Sequence, residues 1–216
     1  PRPGRTAGKS GRRVPLMVVT GFLGSGKTTL LAHLLARAGE AGLRMAALVN
    51  EVSELDVDGE LLGGGAGAAS GDAVRLANGC VCCSIRDELA QALQRVVALE
   101  EPEYVLLETS GVTDPRQLLE ALRAPPLANT CHLDSVVTLV DAAGFQESWR
   151  GSQAMQGQVQ AADVVLLNKA DLAPPEARER VLQAIHRLQP GARVVPCVRA
   201  RIPLPLIMGC ALRPPA

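Results

Sequence analysis

The sequence predicts an α/β fold in which a mostly parallel sheet carries helices on both faces, giving three αβα layers. Short apolar runs alternate along the chain with amphipathic segments of helical periodicity, an order typical of parallel sheets. Aromatic residues make up only 2% of the chain and hydrophobic residues 47%, so the core must be aliphatic, as suits strands buried under helices. A length of 216 residues fits one such domain.

The strands and helices follow one another in regular order. Apolar runs predict strands at 15–20, 45–49, 104–107, 135–140, 164–167 and 192–195. Apolar residues spaced three and four apart predict helices over 27–38 and 84–99, and a third that begins at Pro174 and Pro175, since Pro favours the first turn. Right-handed crossovers between parallel strands bring ligands to the carboxyl edge of the sheet.

Charge and composition exclude several classes of protein. Lys and Arg number 22, as do Asp and Glu, which excludes a broadly basic nucleic-acid binder, and the few aromatic side chains argue against base stacking. No apolar run reaches the roughly 18 residues of a membrane span. We divide the chain into a basic flexible leader at 1–13, a domain at 14–200 and a short Pro-rich tail at 201–216. A cytoplasmic location is expected, with an organelle as the alternative because the leader is basic.

A phosphate-binding motif, G-x-x-x-x-G-K-T, follows the first strand and opens the first helix. Its glycines let backbone N–H groups close around phosphate oxygens, and the helix N-terminus adds partial positive charge. Lys27 is expected to reach the β- and γ-phosphates, and the Thr28 hydroxyl to hold Mg²⁺. The predicted nucleotide-binding residues here are Gly21, Gly24, Ser25, Gly26, Lys27, Thr28 and Thr29.

A second motif, Asn168-Lys169-Ala170-Asp171, follows the strand at 164–167 and predicts the base. The Asp171 carboxylate can accept hydrogen bonds from guanine N1–H and the 2-amino group, and adenine offers neither in that arrangement. Asn168 is expected to hold the loop, and the stem of Lys169 to cover the base. The sequence therefore predicts GTP and GDP as ligands.

Acidic residues at the same sheet edge are candidates for the reaction centre. Glu108 ends the strand at 104–107 and is a candidate Mg²⁺ ligand, with a helix-capping or solvated acid as the alternative. Gly111 would let its backbone N–H approach the γ-phosphate. The acid-rich segment 50–60 is interpreted either as a switch that senses γ-phosphate and Mg²⁺ or as a solvated loop, and Glu51 within it is a candidate for placing the attacking water.

Three cysteines within four residues, Cys80, Cys82 and Cys83, predict a site for a transition metal. Thiolates favour Zn²⁺ or Cu⁺, with Co²⁺ or Ni²⁺ as further candidates, and three sulfurs leave a fourth tetrahedral position open. A redox switch and inert small residues are the alternative interpretations. The remaining cysteines are expected to be ordinary core or surface thiols: Cys131, Cys197 and Cys210.

Together these motifs make the chain resemble the CobW-type family of metal-chaperone GTPases, relatives of the urease and hydrogenase nickel-insertion GTPases. The resemblance is carried by GFLGSGKTT (21–29), NEVSELDVDG (50–59), LANGCVCCSIRDEL (76–89), PEYVLLETSGVTDP (102–115), LDSVVTLVDA (133–142) and QAADVVLLNKADL (160–172). It implies a P-loop NTPase fold, GTP hydrolysis, and a metal, often zinc, held by the CxCC cysteines. Family members usually continue into a smaller C-terminal α/β domain, which we expect this chain to lack.

The expected function is therefore GTP hydrolysis coupled to binding and delivery of a transition metal, zinc before cobalt or nickel, with Mg²⁺ at the nucleotide. A client metalloprotein is the expected partner, and neither nucleic acid nor a membrane is expected to bind. Whether two copies of the chain form a homodimer is left open. Two other functions remain open, a P-loop small-molecule kinase and a non-catalytic GTP-dependent metal-binding module. Assays of phosphate transfer, and of turnover with and without metal, separate these alternatives.

Overall fold

The computed structural model describes residues 13–49, 73–75, 84–145, 149 and 152–209. Within these ranges seven strands form one parallel sheet, in the spatial order third, second, fourth, first, fifth, sixth and seventh. The strands are β1 (Val14–Gly21), β2 (Met45–Val49), β3 (Ala73–Arg75), β4 (Tyr104–Glu108), β5 (Cys131–Asp141), β6 (Val164–Asn168) and β7 (Arg193–Pro196). The predicted parallel α/β sheet is confirmed.

The register of the central strands brings the motif residues to the carboxyl edge. β1 lies between β4 and β5, and its Val19 pairs with Glu108 of β4. β5 in turn pairs with β6, where Asp141 lies beside Asn168. Because all these strands run in the same direction, the segments that follow them emerge together.

Helices connect the strands and cover both faces. They are α1 (Lys27–Glu40), α2 (Ser84–Glu100), α3 (Arg116–Leu122), α4 (Leu127–Thr130), α5 (Gln153–Ala161) and α6 (Pro175–Leu188), with a short 3₁₀ turn at Leu204–Leu206. The predicted helices correspond to α1, α2 and α6, whereas the sequence patterns missed α3, α4 and α5. In the described part of the chain, no helix combines the length and the apolar character needed to cross a bilayer.

Alternation along β1 explains why the sheet is covered on both sides. Met17 and Val19 pack in one apolar cluster with residues of α1, while Leu16 and Val18 pack in a second cluster with residues of α2. Successive side chains of a strand point to opposite faces, so a strand with apolar side chains on both faces needs a helix layer on each face. A third cluster joins β5 and β6 to α5 and α6.

The packed core continues past residue 200, the predicted end of the domain. Ile202 and Ile207 are buried in the cluster that contains α1. The Ser135 hydroxyl donates to the Ile207 carbonyl at 3.2 Å. The Asp134 carboxylate, near the start of β5, accepts from the backbone N–H of Gly209 at 3.0 Å. These contacts hold residues 202–209 against the sheet.

Candidate nucleotide-binding site

A glycine-rich turn joins β1 to α1 at the carboxyl edge of the sheet. Gly21 and Gly26 have φ angles of 144° and 104°, which residues with a side chain rarely adopt. Both also lie against neighbours: a Cβ on Gly26 would be 2.5 Å from Asn168 Nδ2, and one on Gly21 would be 2.5 Å from the Leu139 carbonyl oxygen. The turn thereby brings backbone amides close to the N-terminus of α1, an arrangement that binds phosphate.

The side chains of this turn are suited to an anionic ligand. Lys27 is largely buried, and its Nζ donates to the Phe22 carbonyl at 3.2 Å. The Ser25 hydroxyl is buried and has no hydrogen-bond partner among the described residues. A buried cation and a hydroxyl with unused capacity, beside several backbone amides, fit a nucleotide phosphate. Gly24 and Thr29 of the same motif are exposed.

Thr28 and Glu108 face each other across the site. The Thr28 hydroxyl donates to Glu108 Oε1 at 3.4 Å, and Glu108 is only 5% exposed at the end of β4. One hydroxyl and one carboxylate are the oxygen ligands that Mg²⁺ accepts beside phosphate oxygens and water. The structure brings these two residues together, and their role as Mg²⁺ ligands stays a prediction.

The loop after β4, residues 109–115, lies against the glycine-rich turn. A Cβ on Gly111 would be 2.8 Å from the backbone nitrogen of Leu23, so only glycine allows this approach. Thr113 closes the loop as a turn, since its N–H donates to the Ser110 carbonyl at 3.3 Å. The backbone around Gly111 is thereby held beside the phosphate-binding turn, where the sequence predicts contact with the terminal phosphate.

Asn168 ties two segments of the site together. Its Nδ2 donates to the Ser25 carbonyl at 2.9 Å, and its Oδ1 accepts from the backbone N–H of Ala200 at 2.8 Å. The residue is 2% exposed, so both bonds are shielded from water. Asp171, the predicted reader of guanine, lies three positions further along the chain and is exposed. Asn168 thus supports the phosphate-binding turn from the side predicted to hold the base.

Lys169 is held by an ion pair with Asp141, the last residue of β5. Lys169 has a φ of 56°, and its Nζ lies 2.7 Å from Asp141 Oδ2. The other carboxylate oxygen accepts from the backbone N–H groups of Ala143 and Gly144. Burial by itself raises the pKa of Asp141, but the bonds from Lys169 and the two N–H groups hold this pKa below its ordinary value.

Three residues of the site were not predicted from the sequence. Ala200 has a φ of 52° and is fully buried, and an alanine gives no signal for a left-handed conformation. Gln158 of α5 is fully buried and donates to the Gly111 carbonyl at 3.0 Å. Asp141 could have been predicted, because it is an acidic residue at the end of a strand, like Glu108.

The predicted metal site and the whole of the predicted switch, residues 50–60, lie outside the described residues. These comprise Glu51 and the cysteines Cys80, Cys82 and Cys83. Among the residues that are described, no group of three or more His, Cys, Asp or Glu side chains is placed to hold a metal ion. Cys131 and Cys197 are buried, and burial raises the pKa of each thiol to about 11.

Comparison with known proteins relates this geometry to a family. Residues 15–196 match the family described as CobW/HypB/UreG, nucleotide-binding domain. The chain is 37% identical over 226 residues to the zinc chaperone CobW of Pseudomonas aeruginosa, an alignment that covers 91% of this chain and 60% of the relative. It is 28% identical to zinc-regulated GTPase metalloprotein activator 1 of Dictyostelium discoideum, over 93% of this chain and 49% of that protein.

A solved structure shares both fold and sequence with this chain. The crystal structure of Zn(II)-bound YjiA GTPase from E. coli superposes with a TM-score of 0.69 and 28% identity, covering 91% of this chain and 61% of that one. In each of these comparisons the chain spans only about half to three fifths of the other protein's length.

Proposed function

Since this chain belongs to the CobW/HypB/UreG family, we propose that it hydrolyses GTP to GDP and phosphate and couples this reaction to the binding and delivery of a transition metal, with zinc as the favoured ion. The observation that carries the proposal is the convergence, at one sheet edge, of the glycine-rich turn, the Thr28–Glu108 pair and Asn168.

The described residues are suited to the tasks of a phosphoryl-transfer site, which are to bind the phosphates, hold Mg²⁺ and stabilise developing charge. The N–H groups of the turn and the Lys27 ammonium would hold the phosphates and stabilise the charge that develops as water attacks the terminal phosphorus. Thr28 and Glu108 would hold Mg²⁺, which neutralises charge on the phosphate oxygens when bound. Asn168 keeps the turn in place through the Ser25 carbonyl. The water-placing role of Glu51 stays a prediction.

Metal handling is proposed through the thiolates of Cys80, Cys82 and Cys83. Three sulfurs within four residues suit Zn²⁺, and Co²⁺ or Ni²⁺ would also bind such a set. The names of the similar proteins, zinc chaperone and zinc-regulated GTPase metalloprotein activator, support zinc as the cargo. A client metalloprotein would then receive the ion, and ordering of the loops by GTP would control its release.

The experiment measures turnover and metal affinity on the same protein. GTP hydrolysis is followed as released phosphate, with Lys27→Ala as the inactive variant, because loss of the ammonium removes the cation from the β- and γ-phosphates. Circular dichroism shows whether that variant keeps its fold. Turnover that persists in Lys27→Ala, or phosphate transfer to an acceptor in place of release, would contradict the proposal.

Metal coupling is measured by competition with a chromogenic zinc chelator, in GDP and in a non-hydrolysable GTP analogue. Two ligands that favour the same ordered state raise each other's affinity, typically by about 5- to 150-fold. We expect tighter zinc binding with the analogue than with GDP. Equal zinc affinities with GDP and with the analogue would show that the cysteines bind metal independently of the nucleotide. Tight zinc binding that persists when all three cysteines are replaced by Ser would rule them out as ligands.

A further inference from the structure

Gln158 is a fully buried amide in α5, and it holds the loop that follows β4. Its Nε2 donates to the carbonyls of Gly111 and Thr113, at 3.0 Å and 3.1 Å. Its own backbone carbonyl accepts from the Thr138 hydroxyl of β5 at 2.8 Å. Both donors of the amide are therefore used on one loop, and the helix position that carries them is fixed to the central sheet.

Gly157, which precedes Gln158 in α5, also lies against this loop. A Cβ on Gly157 would lie 2.8 Å from the nearer carboxylate oxygen of Asp114. Asp114 in turn pairs with the Arg116 guanidinium and accepts from its backbone N–H. The hydrogen bonds from Arg116 hold the pKa of Asp114 below its ordinary value, so this carboxylate stays charged where it rests on the helix. The loop is thus supported at three successive points between residues 111 and 114.

The opposite side of the loop touches the phosphate-binding turn. Gly111 packs against Leu23 so closely that a Cβ would be 2.8 Å from the Leu23 nitrogen. The peptide plane is rigid and trans, so a carbonyl fixed toward α5 directs the N–H of the same peptide away from α5. The two bonds from Gln158 therefore fix the N–H groups of Val112 and Asp114, which share peptide planes with these carbonyls, on the side of the loop away from α5.

We propose that Gln158 is a positioning residue, which sets the loop around Gly111 for contact with the terminal phosphate of GTP. This inference rests on the proposed GTPase function. GDP lacks the terminal phosphate, so Gln158 acts on the binding and hydrolysis of GTP and leaves the affinity for GDP unchanged. A displacement of about 1 Å in a positioning group costs up to about 100-fold in rate.

The test compares two substitutions at this position with a matched control. Gln158→Leu keeps the size of the side chain and removes both donors. Gln158→Glu places a carboxylate against two carbonyl oxygens, and on protonation it regains one donor. The control, Thr138→Val, removes the hydrogen bond to the backbone of the same residue and leaves the loop contacts intact. Circular dichroism verifies folding of each variant.

Each variant is titrated with fluorescent GDP and with a fluorescent non-hydrolysable GTP analogue, and single-turnover hydrolysis is then measured. For Gln158→Leu we expect GDP affinity within about twofold of the parent and turnover lowered about 10- to 100-fold, with weaker binding of the analogue. Thr138→Val should affect the two nucleotides equally. Equal weakening of GDP and analogue by Gln158→Leu would show that Gln158 only stabilises the fold, and would overturn the proposal.

Gln158→Glu supplies a readout that a purely structural residue does not move. Burial raises the pKa of a carboxyl group. As pH falls from about 8 to about 5.5, the variant should regain turnover relative to the parent measured at the same pH. A constant ratio across this range would also overturn the proposal, and this comparison decides the question if the Leu variant does not fold. Parent protein that binds GTP without hydrolysing it would contradict the proposed function instead, and the GDP-to-analogue comparison would still decide on Gln158.

Discussion

Replacing Asn168 with Ala is expected to weaken both the fold and nucleotide binding. The amide bonds the Ser25 carbonyl at 2.9 Å and the Ala200 N–H at 2.8 Å, in a place only 2% exposed. Truncation leaves one buried acceptor and one buried donor without partners, at about 1–3 kcal/mol each. The predicted loss is roughly 2–6 kcal/mol in the free energy of unfolding, a large share of the about 5–15 kcal/mol that holds a domain folded.

Urea unfolding followed by circular dichroism measures this loss, and titration with fluorescent GDP measures the effect on binding. Gln189→Ala is the matched control, because its amide also bonds two backbone groups, donating to the carbonyls of Gln160 at 2.8 Å and Ala162 at 3.3 Å. Water reaches this partly exposed amide, so its removal should cost about 1 kcal/mol or less. If Asn168→Ala costs no more than Gln189→Ala, the buried bridge is not a major support of the turn.

A double-mutant cycle with Gly26 tests the same contact from the other side. A methyl group on Gly26 would lie 2.5 Å from Asn168 Nδ2, so Gly26→Ala should break the bridge in the parent protein. In the Asn168→Ala background the clashing atom is absent, and only the strain of a φ of 104° remains. The cost of Gly26→Ala should therefore fall by about 0.5–3 kcal/mol in that background. Equal costs in both backgrounds would refute the contact.

Three further predictions concern the base, the thiols and pH. Asp171→Asn should weaken GTP binding by roughly 2–4 kcal/mol and strengthen the binding of xanthosine triphosphate. Competition titrations measure both affinities, and equal competition by ATP and GTP in the parent would contradict the guanine assignment. Cys131 and Cys197, whose pKa values are raised to about 11, should resist iodoacetamide at pH 8 until the protein unfolds, as mapped by mass spectrometry; equal labelling before and after unfolding would refute this. Asp141 has a lowered pKa, so its pair with Lys169 stabilises the fold above the ordinary Asp pKa and is lost as pH falls through the lowered value. As pH falls from about 5 to about 2, the free energy of unfolding of the parent should therefore drop by up to about 1 kcal/mol more than that of Asp141→Asn. Parallel plots of this free energy against pH would contradict the prediction.

Local patterns predicted the strands well where burial is complete on both faces. β2 and β6 are buried at every position, and the sequence shows an uninterrupted apolar run over all of β2 and over residues 164–167 of β6. β5 is longer than the predicted strand at 135–140, because it begins at Cys131 and includes the polar residue Asp134. The partners that allow Asp134 to be buried are Tyr104 and Gly209, which lie 30 and 75 positions away in the chain. A pattern of neighbouring residues in the sequence cannot predict partners that are so distant in the chain.

α5 illustrates the same limit within the site. Its buried face includes Gly157 and Gln158, so it lacks the apolar periodicity that marks an amphipathic helix. Both residues are explained only by the loop that rests on them. The glycine-rich turn and the Asn168 motif were recognisable because the roles predicted for them depend on residues close together in sequence. Ala200 contributes a backbone N–H, which any residue except proline supplies, so its type carries no information about this role.

The anchoring of Gly209 has a practical result for labelling the molecule. Its bond to Asp134 holds it at the amino edge of the sheet, while Asp141 marks the other end of the same strand. Seven residues of strand, at about 3.3 Å each, separate the two ends by roughly 23 Å. A dye or an affinity handle joined after Gly209 would thus start on the far side of the sheet from the nucleotide. A segment joined there would need at least about seven extended residues to return to the phosphates.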